Sequence, residues 1–249
     1  MDKVGNINIH YFPSSKIWQE ASKFLVDYLK DCLDRREKTL LLLSGGSSVN
    51  LYKPLANFIQ KSNINFDFLA LGQVDERFQP EKIKHITYNK EHITNKNINA
   101  NAIGETGLWR ICKEKGIPYY LISQKGTLER AAEEYNQTIS KLFKQYPNGA
   151  AVLGIGEDCH TAGLLPGYSK LWNINKFVVG YENNGQFPRR ISITPKALRQ
   201  LNYAIIVALG ENKKKAIQNA LKKENINNLN KFPAVLIRII RNVDLFSNL

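Results

Sequence analysis

The stretch Ala150-Ala151-Val152-Leu153-Gly154-Ile155-Gly156-Glu157-Asp158-Cys159-His160-Thr161-Ala162-Gly163-Leu164-Leu165-Pro166-Gly167 decides how this chain is read. Four apolar residues in a row read as a strand buried on both faces, as in a parallel sheet covered by helices. The two glycines that follow permit a sharp turn, or the approach of a ligand to bare backbone. The carboxyl end of such a strand is where open α/β sheets bind ligands. Asp158 and His160 stand two residues apart, so a short extended segment would aim both toward one side. A histidine beside a carboxylate that orients it is a candidate general base near neutral pH. Taken alone, a Gly-x-Gly carries little information, and an isolated Asp-x-His pair more often makes a loop hydrogen bond.

Outward from this stretch, strands and helices alternate. Residues 7–12 alternate in polarity and read as a strand. Ser14 is the expected cap of a helix whose apolar face is Ile17, Trp18, Ala21, Phe24, Leu25, Tyr28, Leu29 and Cys32. Residues 39–43 form a buried strand, and a helix follows over 49–60, where Pro54 reads as an interior residue that kinks it. The next strand covers 66–74. Residues 79–120 carry little pattern apart from a helix near 89–95. A long amphipathic helix runs over 127–146, with strands at 177–179, 190–194 and 203–209. A helix at 211–223 and a segment at 234–240 close the chain. This alternation predicts an α/β fold: a mostly parallel, Rossmann-like sheet with helices on both faces, as a single domain over 1–249.

Composition narrows the function classes. At 249 residues and 43% apolar content the chain can build a large core. The first residues, Met1-Asp2-Lys3-Val4-Gly5-Asn6, do not follow a leader pattern. The longest apolar run, residues 203–209, is too short to span a bilayer, so no membrane partner is expected. Three widely spaced cysteines, Cys32, Cys112 and Cys159, without a Cys-x-x-Cys, read as reduced thiols in a cytoplasmic protein. The formal net charge of +13 admits an anionic partner. The basic residues are scattered, however, and no nucleic-acid-binding signature accompanies them, so no nucleic acid is expected. A monomer is the expected state.

Residues 154–167 resemble the signature of the 6-phosphogluconolactonases, Gly-x-Gly-x-Asp-Gly-His-Thr-Ala-Ser-Leu-Phe-Pro-Gly. The related glucosamine-6-phosphate deaminases share its first half and then carry a glutamate that assists ring opening. Here that region is Gly163-Leu164-Leu165-Pro166, with no acid, which favours the lactonase branch. Three positions depart from the signature: Cys159 for glycine, Gly163 for serine and Leu165 for phenylalanine. If the family glycine has φ > 0, Cys159 carries strain of about 1–2 kcal/mol, and glycine there should raise stability.

Four further motifs follow the family's order. Ser44-Gly45-Gly46-Ser47-Ser48 joins a strand to a helix, where free N–H groups favour an anion. It resembles the family's phosphate-binding loop and fits neither a P-loop nor a dinucleotide fingerprint. Asp75-Glu76-Arg77 reads by itself as a solvated charge cluster. The resemblance implies that Arg77 faces the substrate. Arg190, within Arg189-Arg190-Ile191-Ser192-Ile193-Thr194, and Lys213, within Gly210-Glu211-Asn212-Lys213, are implied phosphate ligands, with Arg189, Lys214 and Lys215 left to solvent. Ile86-Thr87-Tyr88 matches only part of the family's Ser-Asn-Tyr.

The resemblance thus spans residues 41–221 and implies hydrolysis of a phosphosugar lactone, 6-phospho-D-glucono-1,5-lactone. His160 is its base and Asp158 the partner of that base. Arg77 steadies the reacting end, and Ser44, Gly45, Gly46, Ser47, Arg190 and Lys213 hold the phosphate. No metal and no organic cofactor is implied. The alternatives are an aminosugar-phosphate deaminase or isomerase of the same fold, or a sugar-phosphate-binding protein without catalysis.

Overall fold

The computed structural model describes residues 2–80 and 97–249. The strands are β1 (Asp2–Val4), β2 (Ile7–Tyr11), β3 (Thr39–Leu43), β4 (Leu69–Gln73), β5 (Asp75–Arg77), β6 (Tyr119–Tyr120), β7 (Asn148–Leu153), β8 (Val178–Glu182), β9 (Arg189–Ile193), β10 (Leu201–Ala208) and β11 (Asn242–Ser247). Among the described residues the helices are α1 (Ile17–Asp34), α2 (Tyr52–Lys61), α3 (Asn99–Gly104), α4 (Leu108–Glu114), α5 (Leu128–Gln145), α6 (Ser169–Trp172), α7 (Pro195–Leu198) and α8 (Lys214–Leu221). Among the described residues, eight strands form one sheet in the order β1-β2-β11-β10-β7-β3-β4-β6. Every pairing in it is parallel except β1 with β2. A small antiparallel sheet, β5-β9-β8, stands beside it.

Alternation within the strands divides the core. Leu41, Leu43, Ala150, Val152, Ile205 and Val207 face a cluster that includes α1, α2 and α4. Leu40, Leu42, Ala151, Leu153, Ala204 and Ile206 face the cluster holding α5, α7, α8 and the small sheet. Burial on both faces is what the unbroken apolar runs demanded.

The chain turns one way after β3, toward β4, and the other way after β7, toward β10. Strands β3 and β7 are neighbours, with Leu43 opposite Val152, so their onward connections diverge and leave a crevice at their carboxyl ends.

Several local expectations are revised. Ser14 does not cap α1: Lys16 is the cap residue and makes no side-chain bond, while Ser14 Oγ accepts from Asn248 Nδ2 at 3.0 Å. Pro54 is the third residue of α2, inside the first turn, where an N–H has no intrahelical partner to lose, so no kink follows. The stretch ahead of α2 is a 3-10 turn, Gly46–Leu51. The helix expected from residue 127 begins at Leu128, with Thr127 as its cap residue accepting from Arg130 N at 3.2 Å. Strand β11 follows the 234–240 segment and went unread. The helix expected at 89–95 and the motif Ile86-Thr87-Tyr88 lie outside the described residues.

The loop after β7 is a tight turn and not an extended segment. Cys159 N donates to Gly156 O at 2.9 Å, and Gly156 N to His160 O at 2.9 Å. Cys159 has φ 69°, the left-handed conformation that a glycine would take without strain. Its side chain is nonetheless buried, with Sγ 3.5 Å from Ala216 O on α8, and its carbonyl accepts from Ala234 N at 2.8 Å. The backbone condition for a gain from glycine is met, and burial of the thiol works against that gain. Cys159→Gly and Cys159→Ala should both fall below the native protein in thermal melts, with the glycine variant at least as stable as the alanine one. Alanine ahead by about 0.5–1 kcal/mol, the usual margin at an ordinary backbone position, would contradict the left-handed turn.

Candidate active site

Four strands of the large sheet, β4, β3, β7 and β10, end at one cleft of about 250 Å3. Beyond β3, Ser44 to Ser48 form its floor. Gly45 is extended and Gly46 has φ 62°. A Cβ on Gly45 would collide with the side-chain amide of Asn99, so only glycine lets this loop pass Asn99. Tyr52 OH donates to Ser44 O at 2.6 Å and fixes the loop from below.

Beyond β7, Asp158 Oδ1 meets His160 Nδ1 at 2.5 Å and also accepts from His160 N at 3.1 Å. The pair folds back over Gly156, where any Cβ would strike the imidazole ring. With Nδ1 engaged, Nε2 is the ring nitrogen left to meet a ligand. Burial alone would raise the Asp158 carboxyl. The hydrogen bond and charge of His160 outweigh it and hold the group below its ordinary range.

The rest of the signature stretch is fastened to the small sheet. Gly163 N donates to Ser192 Oγ at 3.0 Å. Tyr181 OH donates to Gly163 O at 2.5 Å and accepts from Leu165 N at 3.1 Å. A Cβ on Gly163 would press on Ser192 and Asp75 at about 3 Å. The serine-to-glycine departure is therefore matched by a serine on β9.

Beyond β4 the chain crosses at Val74 into β5 of the small sheet, where Arg77 pairs in register with Arg190 of β9. Arg77 Nη1 donates to Asn97 O at 2.9 Å. Arg190 Nη1 lies 3.7 Å from Asp75 Oδ2. Burial lowers the affinity of Arg77 for its proton; Asp75 opposes that effect and Arg190 adds to it. Lys213, on the 3-10 turn Glu211–Lys213 after β10, reaches the same cleft. Burial likewise lowers its proton affinity, against the attraction of Glu157.

Lys214 and Lys215 are exposed, and Arg189 is half-buried with its guanidinium 5.6 Å over the Phe78 ring. Among the described residues, three buried side-chain polar atoms have no hydrogen-bond partner in the protein: Ser44 Oγ, Arg77 Nε and Arg190 Nε. All three belong to residues that line this cleft.

The structure therefore brings Ser44, Gly45, Gly46, Ser47, Arg77, His160, Arg190 and Lys213 together around one cleft. Asp158 stands behind His160 and does not line it. Asp75 and Asn99 line the cleft as well, without having been singled out. Reading Asp75 and Glu76 as solvated fails, since both are buried. Glu76 turns away from the cleft and accepts from Arg77 N, Asn99 N, Ala100 N and Gln73 Nε2 at 2.7–2.8 Å. Burial pushes its carboxyl up to about 7 against the pull of those donors. Through these bonds Glu76 pins the start of α3, and Asn99 Nδ2 in turn donates to Asp75 O at 3.0 Å. Asn99 falls in the stretch with little periodicity, so no sequence signal marked it.

The chain is similar in sequence and fold to known proteins. Residues 13–245 match the family described as glucosamine-6-phosphate isomerases/6-phosphogluconolactonase, which extends the resemblance beyond residues 41–221 at both ends. The 6-phosphogluconolactonase of Borreliella burgdorferi is 27% identical, over 90% of this chain and 89% of its own length. That of Homo sapiens is 30% identical, over 82% of this chain and 75% of its own. Among solved structures, 6-phosphogluconolactonase from Plasmodium vivax has a TM-score of 0.79 at 18% identity, covering 99% of this chain and 92% of its own. The Thermotoga maritima 6-phosphogluconolactonase has a TM-score of 0.73 at 19% identity, covering 97% and 98%. By sequence match over nearly its whole length, the chain belongs to the glucosamine-6-phosphate isomerase/6-phosphogluconolactonase family of enzymes.

Proposed function

We propose that this protein hydrolyses 6-phospho-D-glucono-1,5-lactone to 6-phospho-D-gluconate, the lactonase step of the oxidative pentose phosphate pathway. The observation that carries this reading is a small cleft where three cationic side chains, two of them with unpartnered buried nitrogens, face a histidine–carboxylate pair. Buried polar atoms are normally satisfied, and a phosphorylated, polyhydroxylated ligand would supply the acceptors these atoms lack. The N–H groups of Ser44, Gly45, Gly46 and Ser47, with Arg190 and Lys213, are the proposed phosphate ligands.

In this reading His160 Nε2 takes a proton from water as the water oxygen attacks the lactone carbonyl. Asp158 holds the resulting imidazolium. Arg77 offsets negative charge on the carbonyl oxygen until the ring C–O bond breaks, and His160 Nε2 then gives its proton to the departing ring oxygen, which leaves as a hydroxyl. Several relatives carry the lactonase name, and Gly163-Leu164-Leu165-Pro166 offers no acid for an isomerase. We further propose a single domain over 1–249 acting in a reducing, cytoplasmic setting, a reading supported by three free buried cysteines.

Turnover of freshly generated lactone, corrected for its spontaneous opening, tests the activity. His160→Ala should lower turnover by about 10²- to 10⁴-fold, the range of a lost general base, while 6-phosphogluconate still binds. Near-native turnover would remove His160 from the mechanism. Arg190→Ala and Lys213→Ala should each impair the phosphorylated lactone far more than unphosphorylated gluconolactone. Equal losses on both substrates would place these cations elsewhere than on the phosphate.

A further inference from the structure

Arg77 lies in an awkward electrostatic position. Its strand neighbour across the small sheet is another arginine, Arg190, and its Nε is buried. Like charges in such surroundings repel strongly, so the side chain needs supports besides its own charge partners. One is the Asn97 carbonyl described above. The other is the ring of Phe187, whose centroid lies 4.2 Å from the guanidinium carbon. Phe187 does not line the cleft.

The ring is itself held. It sits at the tip of the hairpin between β8 and β9, where buried Asn183 acts as a brace. Asn183 Nδ2 donates to Phe187 O at 2.8 Å and to Pro188 O at 2.9 Å. Asn183 N donates to Pro188 O at 2.7 Å, and Asn183 Oδ1 accepts from Gly185 N at 2.8 Å. Tyr168 OH accepts from Asn184 N at 2.8 Å and ties the tip to the segment following the signature stretch. A turn braced in this way serves to present one side chain.

We propose that Phe187 is a positioning residue: its ring face, set by the Asn183 brace, fixes where the Arg77 guanidinium sits at the reacting end of the cleft. A stacked guanidinium keeps its N–H edge for a ligand, because the ring occupies its face and uses none of its donors. Phe187 thus acts on the reaction only through Arg77. This rests on the proposed role of Arg77 with the lactone, and the experiment separates the two.

A double-mutant cycle in lactone hydrolysis reads the coupling. Phe187→Leu keeps an apolar side chain but removes the aromatic face, and should lower kcat by about 3- to 30-fold, the span from an exposed to a desolvated cation–π contact. KM and 6-phosphogluconate binding should stay nearly unchanged. Phe187→Trp, which keeps a face, should stay near the native rate. In an Arg77→Ala background, Phe187→Leu should have no further effect.

Equal fold-losses in both backgrounds would overturn the inference and leave Phe187 a general packing residue. So would a loss confined to KM, or a slow Phe187→Trp variant with a native melting temperature. An Arg77→Ala variant as fast as the native enzyme would instead refute the role given to Arg77, and the positioning role with it. If Phe187→Leu does not fold, Phe187→Met, which also lacks an aromatic face, takes its place in the same cycle with Arg77→Ala.

Discussion

The divergence of the chain at two neighbouring parallel strands is the constraint on which the rest depends. Because β3 and β7 pair in register while their onward connections run to opposite sides, no segment can close over their carboxyl ends. The backbone groups there must be satisfied by turns, by a ligand or by water. The glycine-rich loop after β3 and the Asp158–His160 turn after β7 occupy those two ends, with β4 and β10 supplying the flanks. The cleft follows from the topology; the loop residues decide what it can hold.

Its electrostatics follow from burial and crowding. Three cations share a small volume with one carboxylate, Asp75. The proton affinities of Arg77 and Lys213 fall because charge is costly where water is scarce. Such a site is unfavourable by itself and favours an anion that can take up the unpartnered donors. Glu76, one residue from Asp75, has the opposite duty: four donors from β5, α3 and Gln73 surround it, and it organises the wall without facing the cleft. Adjacent residues on a strand point to opposite sides, which is how two neighbouring acids come to serve such different ends.

Two of the three departures from the family signature, Cys159 and Gly163, are absorbed locally. Cys159 takes the left-handed backbone of a glycine, and its thiol packs against α8, the helix that begins after Lys213. Gly163 leaves room that Asp75 and Ser192 fill. At both of these positions a neighbour occupies the space concerned, and the Asp158–His160 contact is at hydrogen-bonding distance.

Local pattern was enough for much of this protein. Unbroken apolar runs at β3, β7 and β10 read as strands buried on both faces, and the amphipathic face of α5 as a helix. Glycine-rich strand ends marked where ligand chemistry could sit, because only those sites combine a free backbone with a fixed position. The short strands β1, β5 and β6 were not legible, since two or three residues carry no period. Nor was β11, whose polar and apolar residues gain their meaning from pairing with β10 and β2. Asn99, the burial of Glu76 and the Phe187 ring beneath Arg77 depend on contacts between segments far apart in the chain. The sequence alone determined which residues could do chemistry and the layered sheet that carries them. Only the tertiary structure decided which of them meet and which charges lose their water, because burial and long-range contact are properties of the packed chain and not of any window along it.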